Sequence, residues 1–222
     1  MSAVRGEMER DLFSSSSAHD VYNIADGATL LCGFAAAEAP ALMHAIQEVI
    51  AAAPLRHMIT PGGFRMSVAM TNCGNAGWVS ERSGYRYDAL DPLTGQRWPA
   101  MPDIFLSIAQ RAAAAGWFNR FEPDACLINR YEPGARLTLH QDKNERDYGA
   151  PIVSVSLGLP AVFLFGGLRR KDRPRRLPLA SGDVAVWGGP TRLAYHGVAP
   201  LADGDDHLTG RYRYNLTFRK AL

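Results

Sequence analysis

The sequence predicts an α+β domain in which two helices precede an antiparallel β-sandwich or jelly roll. Apolar residues recur at helical spacing in two segments of the first half, and short strands separated by turns follow Pro123. A group of helices followed by a group of strands is typical of α+β domains. The 222 residues suffice for one domain with a substantial core. We expect this domain to span residues 21–222.

The predicted helices come first along the chain. One spans residues 36–52 and ends before Pro54. The other begins at Asp103, a good N-cap residue, and runs to about residue 115. Residues 1–20, which are charged and then serine-rich, predict a flexible N-terminal arm.

The segment between the two helices, about 60–102, is rich in Gly, Asn, Tyr and Pro, with one short strand predicted at 66–71. Long ordered excursions within compact domains often serve as lids or binding loops. We therefore predict that this segment forms a lid.

The strand-rich part, about 123–220, is the predicted jelly-roll core. The predicted strands are 125–131, 135–140, 152–157, 162–165, 176–179, 183–187, 192–196 and 212–219.

Composition restricts the class of protein. A hydrophobic content of 47% and a charged content of 21% are ordinary for a soluble globular protein. The net charge of +2 neither indicates nor excludes a nucleic-acid partner. Three cysteines without a C-x-x-C pair argue against a disulfide framework. No apolar run of membrane-spanning length and no signal peptide is apparent, so we expect a cytoplasmic monomer without a membrane partner.

His140, Asp142 and His196 have the spacing of a facial metal site formed by two histidines and one carboxylate. Such a site on iron(II) leaves positions open for a bidentate co-substrate and for dioxygen. The residues alone also allow zinc. They equally allow Asp142 to lie in a solvated turn and His196 to be an ordinary strand histidine.

The last predicted strand alternates polar and apolar residues from Arg213 to Arg219. Its polar face carries Arg213, Asn215, Thr217 and Arg219. Because unpaired buried guanidinium groups are strongly disfavoured, these arginines must reach water or hold an anion. The planar fork of arginine suits a carboxylate, and a dicarboxylate beside an iron site would satisfy both arginines.

Two other predicted strands carry polar residues on one face. Asn129 and Tyr131 share a face and could hydrogen-bond a carboxylate, although a tyrosine at a strand end is more often a packing residue. Ser154 and Ser156 also share a face, and we interpret them as small polar residues on a wet side of the sheet.

Aromatic and cationic residues alternate within the predicted lid, a combination typical of sites that hold single strands or flipped bases. A loop packed on its own aromatic residues would have the same composition. The basic run at 169–176 is either a phosphate-contacting edge or a solvated turn. The residues of the lid pattern are Trp78, Arg82, Tyr85, Arg86 and Tyr87.

The motifs of phosphoryl transfer, dinucleotide redox chemistry and acyl transfer are absent from the sequence. Segments 123–131, 139–143, 195–197 and 213–219 closely resemble those of the AlkB family of iron(II)- and 2-oxoglutarate-dependent nucleic-acid dealkylases. The resemblance extends from about residue 54 to residue 219 and includes segments 60–63 and 66–73.

The resemblance implies a double-stranded β-helix core, of the jelly-roll type, beneath a nucleotide-recognition lid. It implies Fe(II) bound by His140, Asp142 and His196, with 2-oxoglutarate and O2 as co-substrates. The 2-oxoglutarate would be held by Asn129, Tyr131, Arg213, Asn215 and Arg219. The damaged nucleotide would contact Trp78, Tyr85, Tyr87 and Arg170, and we add Arg86 and Asn144 as candidates.

Asn144 departs from the family pattern, which has an acidic residue two positions after the iron-binding aspartate. An amide both donates and accepts hydrogen bonds, whereas an ionised carboxylate only accepts them. The preference among lesion bases is therefore open.

The expected function is oxidative demethylation of bases such as N1-methyladenine and N3-methylcytosine in DNA, single-stranded or with the base flipped out, and RNA is a further candidate substrate. One alternative is a 2-oxoglutarate oxygenase that acts on a protein or a small molecule. The other is a non-catalytic nucleic-acid binder with a structural metal.

Overall fold

The computed structural model describes residues 20–222, which form fourteen strands and two α-helices. Residues 1–19 of the predicted arm lie outside the described residues. The helices are α1 (Ala39–Ala52) and α2 (Asp103–Ala115). The strands are β1 (Val21–Ala25), β2 (Ala28–Leu31), β3 (Arg56–Ile59), β4 (Arg65–Gly74), β5 (Gly77–Glu81), β6 (Gly84–Asp88), β7 (Ala125–Tyr131), β8 (Leu137–His140), β9 (Ile152–Gly158), β10 (Ala161–Phe165), β11 (Arg175–Leu179), β12 (Val184–Trp187), β13 (His196–Val198) and β14 (Arg213–Arg219).

Two antiparallel sheets form the core of the fold. The major sheet has eight strands in the order β1-β2-β12-β9-β14-β7-β4-β3, and the minor sheet has the order β11-β10-β13-β8. Strands β5 and β6 form a separate hairpin. The prediction of an α+β domain with a jelly-roll core is confirmed.

The helices cover the outer face of the major sheet. Leu42 and Ile46 of α1 and Phe105 of α2 pack in one core cluster with Leu216 and Phe218 of β14. These apolar residues of β14 alternate with its polar residues, so the opposite face of the strand is left for the site.

The space between the two sheets is divided by polar side chains. One apolar cluster, which includes Phe163 and Trp187, fills one part. A second cluster, which includes Met70 and Leu127, fills another. The polar face of β14 belongs to neither cluster, and the cavity described below lies along it.

One predicted strand is misplaced. Residues 189–191 form a 3₁₀ turn, and the strand occupies His196–Val198 rather than 192–196. A Cβ atom on Gly197 would approach the Leu137 carbonyl oxygen to 2.6 Å, so only glycine permits this close pairing with β8. In α2, Pro102 is the N-cap residue and Asp103 lies in the first turn without a side-chain cap hydrogen bond.

The range predicted as a lid does not form one unit. Its strand β4 is longer than predicted and lies inside the major sheet between β3 and β7. Strands β5 and β6, neither of which was predicted, form the hairpin. The β1–β2 hairpin was also missed, although Asp26-Gly27 at its turn is a strong hairpin signal.

Replacing Gly158 with alanine should lower the free energy of unfolding by more than about 2 kcal/mol. Gly158 has a φ of +85°, and a Cβ atom there would lie 2.2 Å from Thr209 Oγ1 and 2.5 Å from the Tyr212 carbonyl oxygen. Urea unfolding measures the change. The matched control is Gly210→Ala, because φ is +61° there and the added atom meets nothing within 4 Å. An equal loss in both variants would mean that backbone strain, not the close contact, accounts for the effect.

Among the described residues, no helix is both long enough and apolar enough to span a bilayer.

Candidate metal and co-substrate site

The three candidate metal ligands meet at one end of the minor sheet. His140 ends β8 and His196 begins β13, and the two residues are direct partners in the ladder. Asp142 follows β8 by two residues. Its Oδ1 lies 3.8 Å from His140 Nε2, and its Oδ2 lies 3.7 Å from His196 Nε2. One ligand atom from each residue lies within 4.8 Å of the others, so one metal ion can contact all three.

Backbone carbonyl groups orient both imidazole rings. His140 Nδ1 lies 2.8 Å from the Thr138 carbonyl oxygen, and His196 Nδ1 lies 2.9 Å from that of Ala194. When each Nδ1 donates its proton to the carbonyl, each Nε2 presents a lone pair towards Asp142. Two imidazole nitrogens and one carboxylate oxygen fit iron(II) with open positions.

The protonation states of Asp142 and His196 favour metal binding. Burial and the neighbouring His140 lower the pKa of His196 to about 4, so its imidazole is neutral at physiological pH. Burial opposes ionisation of Asp142, but the charge of the Arg219 guanidinium and its hydrogen bond outweigh burial and hold the pKa of that carboxyl well below its usual value. Arg219 Nε donates to Asp142 Oδ2 at 2.8 Å, and a terminal nitrogen of the same guanidinium lies 2.7 Å from that oxygen.

The predicted co-substrate residues lie side by side on the major sheet. Arg213 pairs with Tyr131, and Asn215 pairs with Asn129, across the β14–β7 ladder. Directly paired residues place their side chains on the same face of a sheet. Together with Arg219, these side chains line one cavity of about 460 Å³ that also contains the metal trio.

Arg213 is the least satisfied charge of this cavity. It is 1% exposed, and its guanidinium donates to Ser156 Oγ at 3.0 Å and stacks on the Tyr131 ring at 4.9 Å. Its Nε and second terminal nitrogen have no hydrogen-bond partner among the described residues, and neither does Asn129 Oδ1. Buried donors without partners carry a large desolvation cost. A bound carboxylate fits Arg213 because it would accept a hydrogen bond from a nitrogen that otherwise lacks a partner.

The interpretation of Ser154 and Ser156 as residues on a wet face is wrong. Both are buried. Ser154 Oγ accepts a hydrogen bond from Asn215 Nδ2 at 2.8 Å, and Ser156 Oγ accepts the bond from Arg213. The ladder explains this, since Ser156 pairs with Asn215 and Ser154 with Thr217. The serines hold the co-substrate side chains in place.

A second buried network surrounds Asp142. Glu145, 5% exposed, accepts hydrogen bonds from the Tyr87 hydroxyl at 2.7 Å and from an Arg192 terminal nitrogen at 3.2 Å. Its carboxylate also lies 3.5 Å from Arg219 Nε. Arg192 donates to the Asp142 and Ala150 carbonyl oxygens, at 2.9 and 3.0 Å. The loop that carries Asp142 is therefore fixed by buried ion pairs.

Four of the predicted nucleotide contacts line the mouth of the cavity: Trp78, Tyr85, Asn144 and Arg170. The Trp78 and Tyr85 rings are stacked with centroids 5.5 Å apart. Trp78 Nε1 donates to Asn144 Oδ1 at 3.3 Å. Arg170 donates to the Leu139 carbonyl oxygen at 2.8 Å and lies over the Tyr195 ring.

The other two predicted contacts lie elsewhere. Tyr87 does not line the cavity, because its hydroxyl is bound to Glu145. Arg86 does not line it either and forms ion pairs with Glu81 and Asp88. Tyr87 is nevertheless the direct ladder partner of Trp78, whereas Arg86 pairs with Val79 on the other face of the hairpin.

Sequence reasoning missed the apolar wall beside His196. The His196 ring lies 4.9 Å from the Trp187 ring and 6.2 Å from the Phe163 ring, and all three residues line the cavity. Glu145 and Arg192 were also missed. Glu145 belongs to a segment that reads as a polar turn, Arg192 begins a predicted strand, and no local pattern marks either residue as buried.

In the basic run, three arginines have structural partners. Arg169 bonds Asp172, Arg170 bonds Leu139, and Arg175 bonds Tyr22 and the Ile24 carbonyl oxygen. The remaining cations, Lys171, Arg173 and Arg176, are exposed.

The jelly roll and the site together define a class of protein, and comparison with known proteins agrees. Residues 27–219 match the family described as the 2OG-Fe(II) oxygenase superfamily. The enzymes of this class use Fe(II), 2-oxoglutarate and O2, and the donor set of the cavity fits each of them.

The chain belongs to the AlkB family of these oxygenases. It is 58% identical over 198 residues to the alpha-ketoglutarate-dependent dioxygenase AlkB of Escherichia coli K12. The aligned residues make up 89% of this chain and 92% of that protein. It is 34% identical over 174 residues to the DNA N(6)-methyladenine demethylase ALKBH1C of Arabidopsis thaliana, covering 67% of this chain and 38% of that protein. The structure of OsALKBH1 superimposes with a TM-score of 0.77 at 28% identity, covering 90% of this chain and all of that one. The protein is therefore an iron(II)- and 2-oxoglutarate-dependent dioxygenase.

Proposed function

We propose that the protein demethylates alkylated nucleobases such as N1-methyladenine and N3-methylcytosine in DNA, with RNA as a second polymer substrate. One observation carries this proposal. A single cavity holds the candidate metal ligands and a buried, unsatisfied arginine, while stacked aromatic rings and a cation line its mouth. The similarity to a dioxygenase named AlkB and to a protein named as a DNA demethylase supports the polymer substrate.

In this proposal His140, Asp142 and His196 hold Fe(II). Arg213 binds one carboxylate of 2-oxoglutarate, and Asn129, Tyr131 and Asn215 line the part of the cavity that this co-substrate occupies. Arg219 keeps Asp142 ionised and oriented. The Arg219 side chain also contacts the co-substrate. Fe(II), 2-oxoglutarate and O2 supply the oxidation of the methyl carbon, with release of carbon dioxide, succinate and, after the hydroxymethyl group leaves the base, formaldehyde.

The residues of the mouth position the base and limit access of water. Trp78 offers a flat ring to one face of a base, and Arg170 offers a cation to a phosphate or to the base edge. The apolar wall of Phe163 and Trp187 shields His196. Alkylation at a pairing nitrogen weakens base pairing, so such a base costs less to flip out.

The proposal also covers the organisation of the chain. A single catalytic domain spans 21–222, its core lies at about 123–220, and its lid lies within about 60–102. We propose that it acts as a monomer in the cytoplasm.

Stoichiometric assay of succinate and formaldehyde tests the function. Purified protein with Fe(II) and 2-oxoglutarate is given a methylated oligonucleotide, the same oligonucleotide without methyl groups, or no substrate. We expect both products in equal amounts with the methylated strand alone. Succinate stimulated only by a protein or a metabolite would overturn the proposal in favour of another oxygenase substrate. Iron-independent binding without either product would favour a non-catalytic binder.

Replacing Asn144 with aspartate should favour cationic lesions. Asn144 lines the cavity mouth, and a carboxylate there would attract a positively charged methylated base but not a neutral one. At a partly solvated site this attraction is about 1 kcal/mol, which is about fivefold. The measurement is the ratio of kcat/KM for N1-methyladenine over N3-methylthymine in the same sequence context. Asn144→Ala is the control for loss of the Trp78 hydrogen bond, and a ratio that is unchanged in Asn144→Asp contradicts the prediction.

A further inference from the structure

We propose that the tips of two neighbouring hairpins bind a nucleobase adjacent to the target nucleotide, with Phe64 as the stacking platform. We call Phe64, Arg65 and Arg82 the tip surface. This inference rests on the proposed function and adds a site for a second nucleotide of the polymer.

Phe64 is an exposed aromatic ring on an ordered turn. It is 75% exposed, although apolar rings of this size are usually buried. The turn between β3 and β4 is closed by three hydrogen bonds, from Thr60 N to the Phe64 carbonyl, from Gly63 N to the Thr60 carbonyl, and from Phe64 N to Thr60 Oγ1. Gly63 has a φ of +82°, which the tight turn requires. A ring held in this way loses little conformational entropy when a base stacks on it.

The turn lies at the mouth of the catalytic cavity. Thr60 and Met66, on either side of Phe64, both line that cavity. The β5–β6 hairpin is adjacent, because Ser80 Oγ donates to the Ile59 carbonyl oxygen at 2.7 Å. The Arg82 guanidinium lies 3.9 Å from the position that a Cβ atom on Gly63 would take. The two tips therefore form one surface beside the opening.

The charges of the tip surface suit a polynucleotide. Arg65 and Arg82 are exposed, and neither forms an ion pair within residues 20–222. Aromatic rings that stack on bases, flanked by cations that contact phosphates, are the means by which proteins bind single strands without sequence preference. A strand whose target base enters the cavity must pass its neighbouring nucleotides over the rim, where the tip surface lies.

The test compares a substrate that reaches the tip surface with one that does not. Phe64→Ala should lower kcat/KM about tenfold for a methylated trinucleotide and leave it unchanged for the methylated mononucleotide. Phe64→Trp should retain the activity on the trinucleotide, since indole also stacks. The matched control is Trp117→Ala, because Trp117 is 83% exposed but does not line the cavity.

Two further measurements separate stacking from folding and from charge. A 2-aminopurine placed next to the target should lose fluorescence on binding the wild-type protein and lose much less on binding Phe64→Ala. Arg65→Gln with Arg82→Gln should reduce the slope of log(kcat/KM) against log salt by about 0.7 for each phosphate that the protein no longer neutralises.

The outcomes distinguish this inference from the proposed function. Equal activity of wild type and Phe64→Ala on the trinucleotide would overturn the stacking site while leaving the demethylase proposal intact. A loss of equal size on the mononucleotide would also overturn it, because the variant would then be damaged at the cavity itself. A wild-type protein that releases no formaldehyde from either methylated substrate would overturn the proposed function.

Discussion

Replacing Asp142 with alanine is expected to abolish the release of succinate and formaldehyde, a loss of at least about a thousandfold. The carboxylate is the one anionic donor of the trio, and its two oxygens lie 3.8 and 3.7 Å from the two imidazole Nε2 atoms. Without it only the two imidazole ligands remain, which are too few to hold Fe(II) against water. The measurement is single-turnover succinate release after anaerobic loading with Fe(II) and 2-oxoglutarate.

The controls must separate loss of metal from loss of fold. Arg219 is buried and forms a hydrogen-bonded ion pair with Asp142, so the alanine variant leaves a buried cation poorly paired at a cost of about 3–5 kcal/mol. Asp142→Asn keeps the shape and one acceptor for Arg219, and thermal unfolding confirms that it folds. Asp205→Ala removes an exposed carboxylate elsewhere and should retain full activity. Wild-type turnover by a folded Asp142→Asn protein would refute the metal assignment.

Replacing Arg213 with methionine should have two opposite effects, stabilising the protein without co-substrate while eliminating tight binding of 2-oxoglutarate. Burial lowers the pKa of this guanidinium, which means that the fold disfavours its charge. Replacing a buried charge with an apolar side chain of similar length often stabilises by about 1–4 kcal/mol. Loss of charge-assisted hydrogen bonds worth about 3 kcal/mol should weaken 2-oxoglutarate binding about a hundredfold.

Thermal unfolding with and without 2-oxoglutarate measures both effects. The Tm of the wild type should rise with the co-substrate, because a ligand that binds only the folded state stabilises it. The Tm of the variant should start higher and respond little. Arg211→Met, an exposed arginine two residues away, should behave like the wild type. A variant that is destabilised and still binds 2-oxoglutarate would contradict the assigned role.

The parts of the fold that the sequence predicted well have a strong local period. β14 is predicted at 212–219 and observed at Arg213–Arg219. One face of this strand packs under the helices and the other lines the cavity, so apolar and polar residues alternate along it. The same alternation predicted that Arg213 and Arg219 share a face. The metal trio could be predicted as a pattern of ligand types, but its convergence depends on the pairing of His140 with His196.

The parts that the sequence could not reveal depend on long-range contacts. Glu145 lies in a polar run that reads as a solvated turn, yet Arg192, 47 residues away, makes it a buried ion-pair partner. Ser154 and Ser156 were interpreted as solvent-facing because their own sequence gives no indication that they hydrogen-bond Asn215 and Arg213. The strand predicted at 192–196 failed because a 3₁₀ turn places Arg192 against the Asp142 loop. Periodicity carries no information about such partners.

The hydrogen bond between Tyr87 and Glu145 has a mechanical consequence for the β5–β6 hairpin. The β6 strand is attached through this 2.7 Å bond to the carboxylate that also neighbours Arg219, and Arg219 in turn donates a hydrogen bond to Asp142, the candidate metal ligand. Lifting the base of the hairpin would break this bond, leaving the Tyr87 hydroxyl without a partner and removing one hydrogen bond from the buried Glu145 carboxylate. We therefore expect the base of the hairpin to move less than its distal half when a substrate enters. A displacement of Tyr87, in contrast, would be transmitted through Glu145 and Arg219 to the loop that carries Asp142.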